Sequence, residues 1–409
     1  MNRANKLDIF NIKYLMLIKP IIDMLWNISL LNYFIMLYAI VILVIEYRDS
    51  KIRVKNIDLF IIIALWLIAI SFVHEMNSTT VRALLKLVSP FILYYIGRNT
   101  KEDPSVLMHY MCNGYILAFL IDIIALILGK GFVYWGHALT FTGFYFFKTD
   151  IGVALLWLMF LIVFNEIWFC KRKIRALIML SISFVMIILT NSRMTLILTL
   201  FLAVISFLYY REKNTGHPIK VRLRLILLGI CALIIGIYLI RFLGNSAFFV
   251  NKGFIAFNFE KLSDLYSAGN LQGRDAIWNY LMEKFNSECF FKKMFGVSLN
   301  SYISGDTYLS GLSSHNIYIG ILYSFGYFGS MLFVIYIGVL IRKLNSEKNR
   351  ILFYATLFSM SLLLIYGISV NTHEFTNYTW NFGLLTGLLY NNYFKNQSER
   401  LEYYEKKCN

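Results

Sequence analysis

Apolar stretches of about 17–25 residues follow one another from near the N-terminus to Phe394. Each is long enough to cross the ~30 Å hydrocarbon core of a bilayer. One gap breaks the rhythm, roughly 70 residues from Leu243 to Ser314. Lipid must be the solvent of such a chain. Of its 409 residues, 58% are hydrophobic and only 15% charged, more apolar surface than a soluble domain of this size can bury. The expected fold is an all-α membrane protein of about twelve transmembrane helices with one large extracytoplasmic loop.

The expected spans are residues 14–28, 30–46, 57–73, 81–97, 105–128, 150–169, 174–190, 193–210, 223–242, 315–341, 351–370 and 377–394. They divide the chain into nine helices over 1–242, the large loop over 243–314, three helices over 315–394 and a tail over 395–409. No small-residue cleavage site follows the first apolar run, so a removable signal peptide is not expected. That run contains Lys19, Pro20 and Asp23. Lys19 and Asp23 are four apart and can pair on one helix face, which lowers their cost in lipid or suits an interfacial helix.

A net charge of +16 could indicate a nucleic-acid partner, but its distribution argues against one. The N-terminus, the tail and every second connection hold 26 of the 39 Lys and Arg, for example Arg48 to Lys55, Lys171 to Arg175 and Arg342 to Arg350. By the positive-inside rule both termini are cytoplasmic and the large loop, with six basic and six acidic residues, is outside. The excess charge reports topology.

Three helix starts on the outer side carry unusual residues. A helix N-terminus has unpaired N–H groups and about half a positive charge, so it favours anions. Span eight opens Thr190-Asn191-Ser192-Arg193, with Asn191 or Ser192 as a cap. A cation in that first turn is disfavoured unless an anion joins it; the alternative is an Arg snorkelling to lipid phosphates. Span ten opens Ser313-Ser314-His315-Asn316-Ile317-Tyr318. Serines can cap there, leaving His315 free to accept a proton or hydrogen-bond a phosphate, or to fill a polar niche. Span four carries Arg82 and Lys86 on one face, able to grip a diphosphate or to snorkel. Within the loop, Gly273-Arg274-Asp275 precedes a helix-like stretch with Trp278. Arg274 can hold an anion through its planar fork, or pair locally with Asp275 or Asp264. The Ser/Gly-rich stretch from Val297 to His315 has the composition of a mobile loop.

No P-loop is present, and neither carboxylates nor the five cysteines have metal-ligand spacing, so neither a metal nor a cofactor is expected. Asp122, Glu166 and Arg241 are candidates for structural polar networks within the membrane.

In order, Ser192-Arg193, Gly273-Arg274 with Trp278, Phe295-Gly296, His315-Asn316 and Gly326 with Gly329 resemble the motif series of the O-antigen polymerase and ligase superfamily. The resemblance covers mainly residues 140–330. The chain departs from it at Thr142-Gly143-Phe144, which lacks a preceding Arg and a following Pro-Asn, and at Ser324, where relatives carry Glu. The resemblance implies a multi-pass protein of the bacterial inner membrane. It implies metal-independent, inverting glycosyl transfer at the outer face, with an undecaprenyl pyrophosphate-linked glycan as donor. A polymerase would extend a second lipid-linked unit, with a chain-length regulator as partner; a ligase would pass the chain to lipid A-core. Arg193, Arg274 and His315 are the expected catalytic residues, and Arg82, Lys86, Asn316 and Tyr318 the expected substrate contacts. A lipid-linked oligosaccharide flippase fits less well, because polar residues gather at the outer edge rather than along the helices.

Overall fold

The structure is a computed structural model that describes residues 10–48, 56–74, 76–135, 138–164, 173–216, 219, 231, 234–242, 274–299, 301, 303 and 311–391. The first part of the expected loop (243–273), half of the ninth span and the tail lie outside the described residues, as do Asp264 and Glu166.

Helices α1 (Ile12–Met24), α2 (Ser29–Arg48), α3 (Asn56–His74), α4 (Ser78–Asn99) and α5 (Pro104–Ile127) lead into a hairpin of β1 (Phe132–Trp135) and β2 (Ala138–Phe141). Then come α6 (Lys148–Ile162), α7 (Lys173–Leu189), α8 (Arg193–Thr215), α9 (Arg274–Ser287), α10 (Phe290–Phe295), α11 (Ile317–Asn345), α12 (Arg350–Tyr366) and α13 (Thr376–Leu389). Among the described residues, α2, α3, α4, α5, α8 and α11 are long and apolar enough to cross a membrane. Leu59, Ile62, Val334 and Phe207 on these helices are exposed, as residues facing lipid are.

Helices α1, α12 and α13 are shorter than expected. Helix α13 stops at Leu389 after 14 residues, yet almost all of it is buried. It packs on α4 through glycines: a Cβ on Gly383 would come 2.3 Å from the Pro90 carbonyl oxygen, and one on Gly387 2.1 Å from that of Tyr94. Backbones this close draw their stability from packing between helices. Helix α1, at 13 residues, is about 20 Å long. It still joins the two ends of the bundle. Asn11 meets Glu102 beside the α4–α5 connection, and Trp26 packs on Phe146 with ring centres 4.3 Å apart. Lys19 and Asp23 pair within it.

Helix starts are set by local chemistry. Asn77 accepts from Thr80 N–H at 2.9 Å and starts α4. Asp103 with Pro104 starts α5 and Asn349 starts α12, each through a side-chain oxygen. The starts of α4, α6, α8, α11 and α13 share one end with the hairpin, α9 and α10, here termed the loop end. His74, closing α3, bonds the Gly296 carbonyl there at 2.8 Å.

The loop is docked onto α11 by two glycines. Gly326 (φ 68, ψ −167) breaks α11, and a Cβ there would come 2.4 Å from Met294 backbone atoms. A Cβ on Gly296 (φ 110) would come 2.0 Å from the Ser324 carbonyl oxygen. Only Gly has both the conformation and the space. Val297 N–H donates to the Tyr323 carbonyl at 2.8 Å across this junction. The stretch after Val297 is not loose in its described parts: Ser298, Leu299, Ser301 and Ile303 are buried, and Ile303 exchanges backbone hydrogen bonds with Gly311 and Leu312.

Candidate functional site

Helix α8 opens on a strained turn. Asn191 takes a left-handed conformation (φ 50), and its side chain donates to the Leu139 carbonyl of β2 at 2.9 Å. Ser192 occupies the N-cap position without making the expected side-chain cap. Its hydroxyl bonds the Tyr366 hydroxyl at 3.0 Å, and Thr195 does so at 2.7 Å. Arg193 is therefore the first helical residue, held beside the end of α12. Thr195 also lies against Gly152 of α6; a Cβ on that glycine would come 2.4 Å from the Thr195 hydroxyl. That contact brings the start of α6, and Lys148 with it, alongside the start of α8.

Arg274 is the first residue of α9. One turn on, Trp278 Nε1 donates to the Ser314 carbonyl at 2.7 Å, which ties α9 to the residue before His315. His315 is left-handed (φ 46) and stands outside α11. Asn316, not a serine, is the cap: its Oδ1 accepts from Tyr318 and Ile319 N–H at 2.9 and 3.2 Å. Ser314 instead bonds Asn371, whose Oδ1 also accepts from Asn316 N–H at 3.0 Å. Asn371 Nδ2 donates to Ser301 at 2.7 Å and to Glu374 at 3.3 Å. Because this buried network fixes the residues on both sides of His315, the strained φ persists.

Arg193, Arg274, Lys148 and His315 act on one another. The electrostatic neighbours of Lys148 are Arg193 and Arg274, that of Arg193 is Arg274, and Arg274 also acts on His315. Arg274 makes no ion pair with Asp275 and no hydrogen bond among the described residues; one Asp275 carboxylate oxygen is itself buried without a partner. Burial first, and Arg274 second, push the His315 imidazole down to about 4, so it is neutral at physiological pH. Like charges gathered and half-buried in this way raise one another's cost of burial.

Arg82 and Lys86 lie elsewhere. Both are exposed and line a cavity of about 580 Å³ between α1, α2, α4, α6 and α13. Its walls include Trp26, Phe146, Phe375, Trp380, Asn377 and Asp150. Lys86 stands over the Phe375 ring at 5.5 Å and within electrostatic range of Asp150 and Glu374. Among the described residues, no three His, Cys, Asp or Glu side chains are grouped to hold a metal ion.

The sequence model of a family described as O-antigen ligase matches residues 177–334. This segment belongs to the O-antigen polymerase and ligase superfamily. No curated protein matches the chain. The superfamily segment runs from α7 into α11, so it contains Arg193, Arg274, His315 and both docking glycines, while Lys148 and the Arg82–Lys86 cavity lie outside it.

Two of the expected substrate contacts are engaged within the protein. Asn316 caps α11 and donates to the Ile368 carbonyl at 3.2 Å; the Tyr318 hydroxyl donates to the Leu364 carbonyl at 2.9 Å. Both therefore fasten α11 to α12. Three residues beside the site were not singled out from sequence. Lys148 begins a span, as Arg193 does, and a cation in a first turn is the signal that could have found it. Asn371 and Glu374 carried no local signal, since only the fold brings them to His315. Burial pushes the Glu374 carboxyl up to about 7 and the neighbouring His373 down to about 3. Both shifts favour the neutral forms, so their 3.7 Å contact is weak as an ion pair.

Proposed function

We propose that this protein is a polysaccharide polymerase that joins undecaprenyl pyrophosphate-linked repeat units at the outer face of the inner membrane, with the loop end facing out. The observation that carries the reading is the cluster of Arg193, Arg274 and Lys148 with His315, lying in and beside an O-antigen ligase segment. In the reaction, an acceptor hydroxyl oxygen bonds to the anomeric carbon of the donor. The bond from that carbon to the pyrophosphate oxygen breaks, and its electron pair leaves with the diphosphate. Arg193 and Arg274 receive the developing charge through charge-assisted hydrogen bonds, with Lys148 adding a third cation. The hydroxyl proton passes to His315. A diphosphate beside it would offset Arg274 and lift its basicity from the resting value. Attack opposite the leaving group inverts the anomeric centre.

The matched family's description as a ligase favours a second reading, transfer of the finished glycan to lipid A-core. The two readings part on the cell surface. With Arg193→Ala, Arg274→Ala or His315→Ala present at normal membrane levels, a polymerase defect leaves single repeat units on the acceptor and no long lipid-linked chains. Long chains accumulating on the lipid carrier over a bare acceptor would establish the ligase instead.

A further inference from the structure

We infer that the cavity bearing Arg82 and Lys86 binds the sugar portion of the acceptor glycan, apart from the diphosphate site; this inference rests on the transferase reading above. The notion that Arg82 and Lys86 grip a diphosphate does not suit their surroundings. Their charge, with that of Lys19, is answered by Asp23 and Asp150 in the same cavity, and Lys86 also feels Glu374. A diphosphate placed there would meet carboxylates. At the other cluster, Lys148, Arg193 and His315 each have an arginine as electrostatic neighbour.

What the cavity offers is suited to a glycan. At about 580 Å³ it lies in the usual range for small-ligand sites, and its lining is mixed aromatic and polar. Trp26 and Phe146, tilted at 48° with ring centres 4.3 Å apart, and Phe375 line it, giving apolar faces for the C–H faces of sugar rings. Asn377 donates to Asp150 at 2.9 Å, so an amide and a carboxylate are held in place to bond hydroxyl groups.

The position also suits an acceptor. Lys148 and Asp150 are two apart in the first turn of α6; Lys148 belongs to the cationic cluster and Asp150 lines the cavity. A glycan seated beside Asp150 therefore ends one helix width from the anion site. Asp150 also registers on Tyr366, the residue that holds the start of α8.

The test uses the full chain in lipid nanodiscs and calorimetric titration with two probes: the diphosphate-free repeat-unit oligosaccharide released from the host's own polysaccharide, and inorganic pyrophosphate. Trp26→Ala and Asn377→Ala are each expected to weaken oligosaccharide binding at least tenfold and leave pyrophosphate binding unchanged. Trp26 is 46% exposed, so its replacement does not hollow the core, and Trp26→Phe should restore most of the affinity. Arg193→Ala is expected to do the reverse. The inference is overturned if the two cavity variants bind the oligosaccharide like wild type, if pyrophosphate binding is lost with Trp26→Ala, or if nanodiscs that polymerise show no oligosaccharide binding. Oligosaccharide binding through the cavity in a protein that transfers nothing would sustain the site and defeat the transferase reading.

Discussion

At the end of the bundle opposite the loop, arginines meet carboxylates; at the loop end they meet one another. Arg98 pairs with Asp58, both buried. Arg350 pairs with Glu212, which also accepts from Tyr354 at 2.7 Å, and Arg350 donates on to the Ile219 carbonyl at 2.8 Å. Those pairs close the ends of helices and need nothing from outside. Arg193, Arg274 and Lys148 repel one another in partial burial, which persists only because surrounding packing and hydrogen bonds outweigh it. The contrast separates cations paired with carboxylates from cations that lie within range of one another.

The comparison breaks most readily at the loop end. Arg193→Ala and Arg274→Ala should each lower kcat by about 10²–10³, as loss of one donor to a developing anion does, with membrane-inserted protein retained. Loss of membrane-inserted protein in proportion to loss of turnover would return these residues to the structural class. Arg350→Ala should show the opposite pattern. It strands a mostly buried Glu212, costs about 3 kcal/mol of stability, and leaves turnover per folded molecule near wild type, read as a lowered Tm in detergent.

The third test concerns Glu374. Its carboxyl is raised from 4.5 to about 7, so the folded state holds the proton more tightly than the unfolded state. That contribution is fully present below pH 4.5 and is lost as pH rises through 7, up to about 3 kcal/mol. Wild-type Tm should fall between pH 5 and 8, and Glu374→Gln should flatten the slope while keeping the hydrogen bonds to Ser301 and Asn371. An unchanged slope would mean that Glu374 ionises freely. The smallest effect expected is for Arg274→Lys: about tenfold in kcat/KM, because charge is kept and the planar fork is lost.

The helical membrane class and the approximate helix positions could be read from apolar runs alone, since α3, α5 and α8 fall within a few residues of the expected spans. The place of Arg193 in the first turn of α8 was legible from the cap residues before it. The capping of α11 was misread: Ser313 and Ser314 look equivalent to Asn316 along the chain, and Asn371, 55 residues away, decides between them by taking the Ser314 hydroxyl. Arg82 and Lys86 were rightly placed on one face. Their assignment to the anion site missed Asp150 and Glu374, which no spacing along α4 could reveal.

Gly326 divides α11 into an upper piece of nine residues and a longer lower rod. The upper piece is stitched to Val297, Gly296 and Trp278, so mechanically it goes with α9 and α10 rather than with the rod below. In hydrogen–deuterium exchange the amides of 317–325 should open together with those of 274–297, on one timescale, while those of 330–345 stay protected by the membrane. The boundary between what the bilayer holds still and what can breathe runs through the middle of a helix.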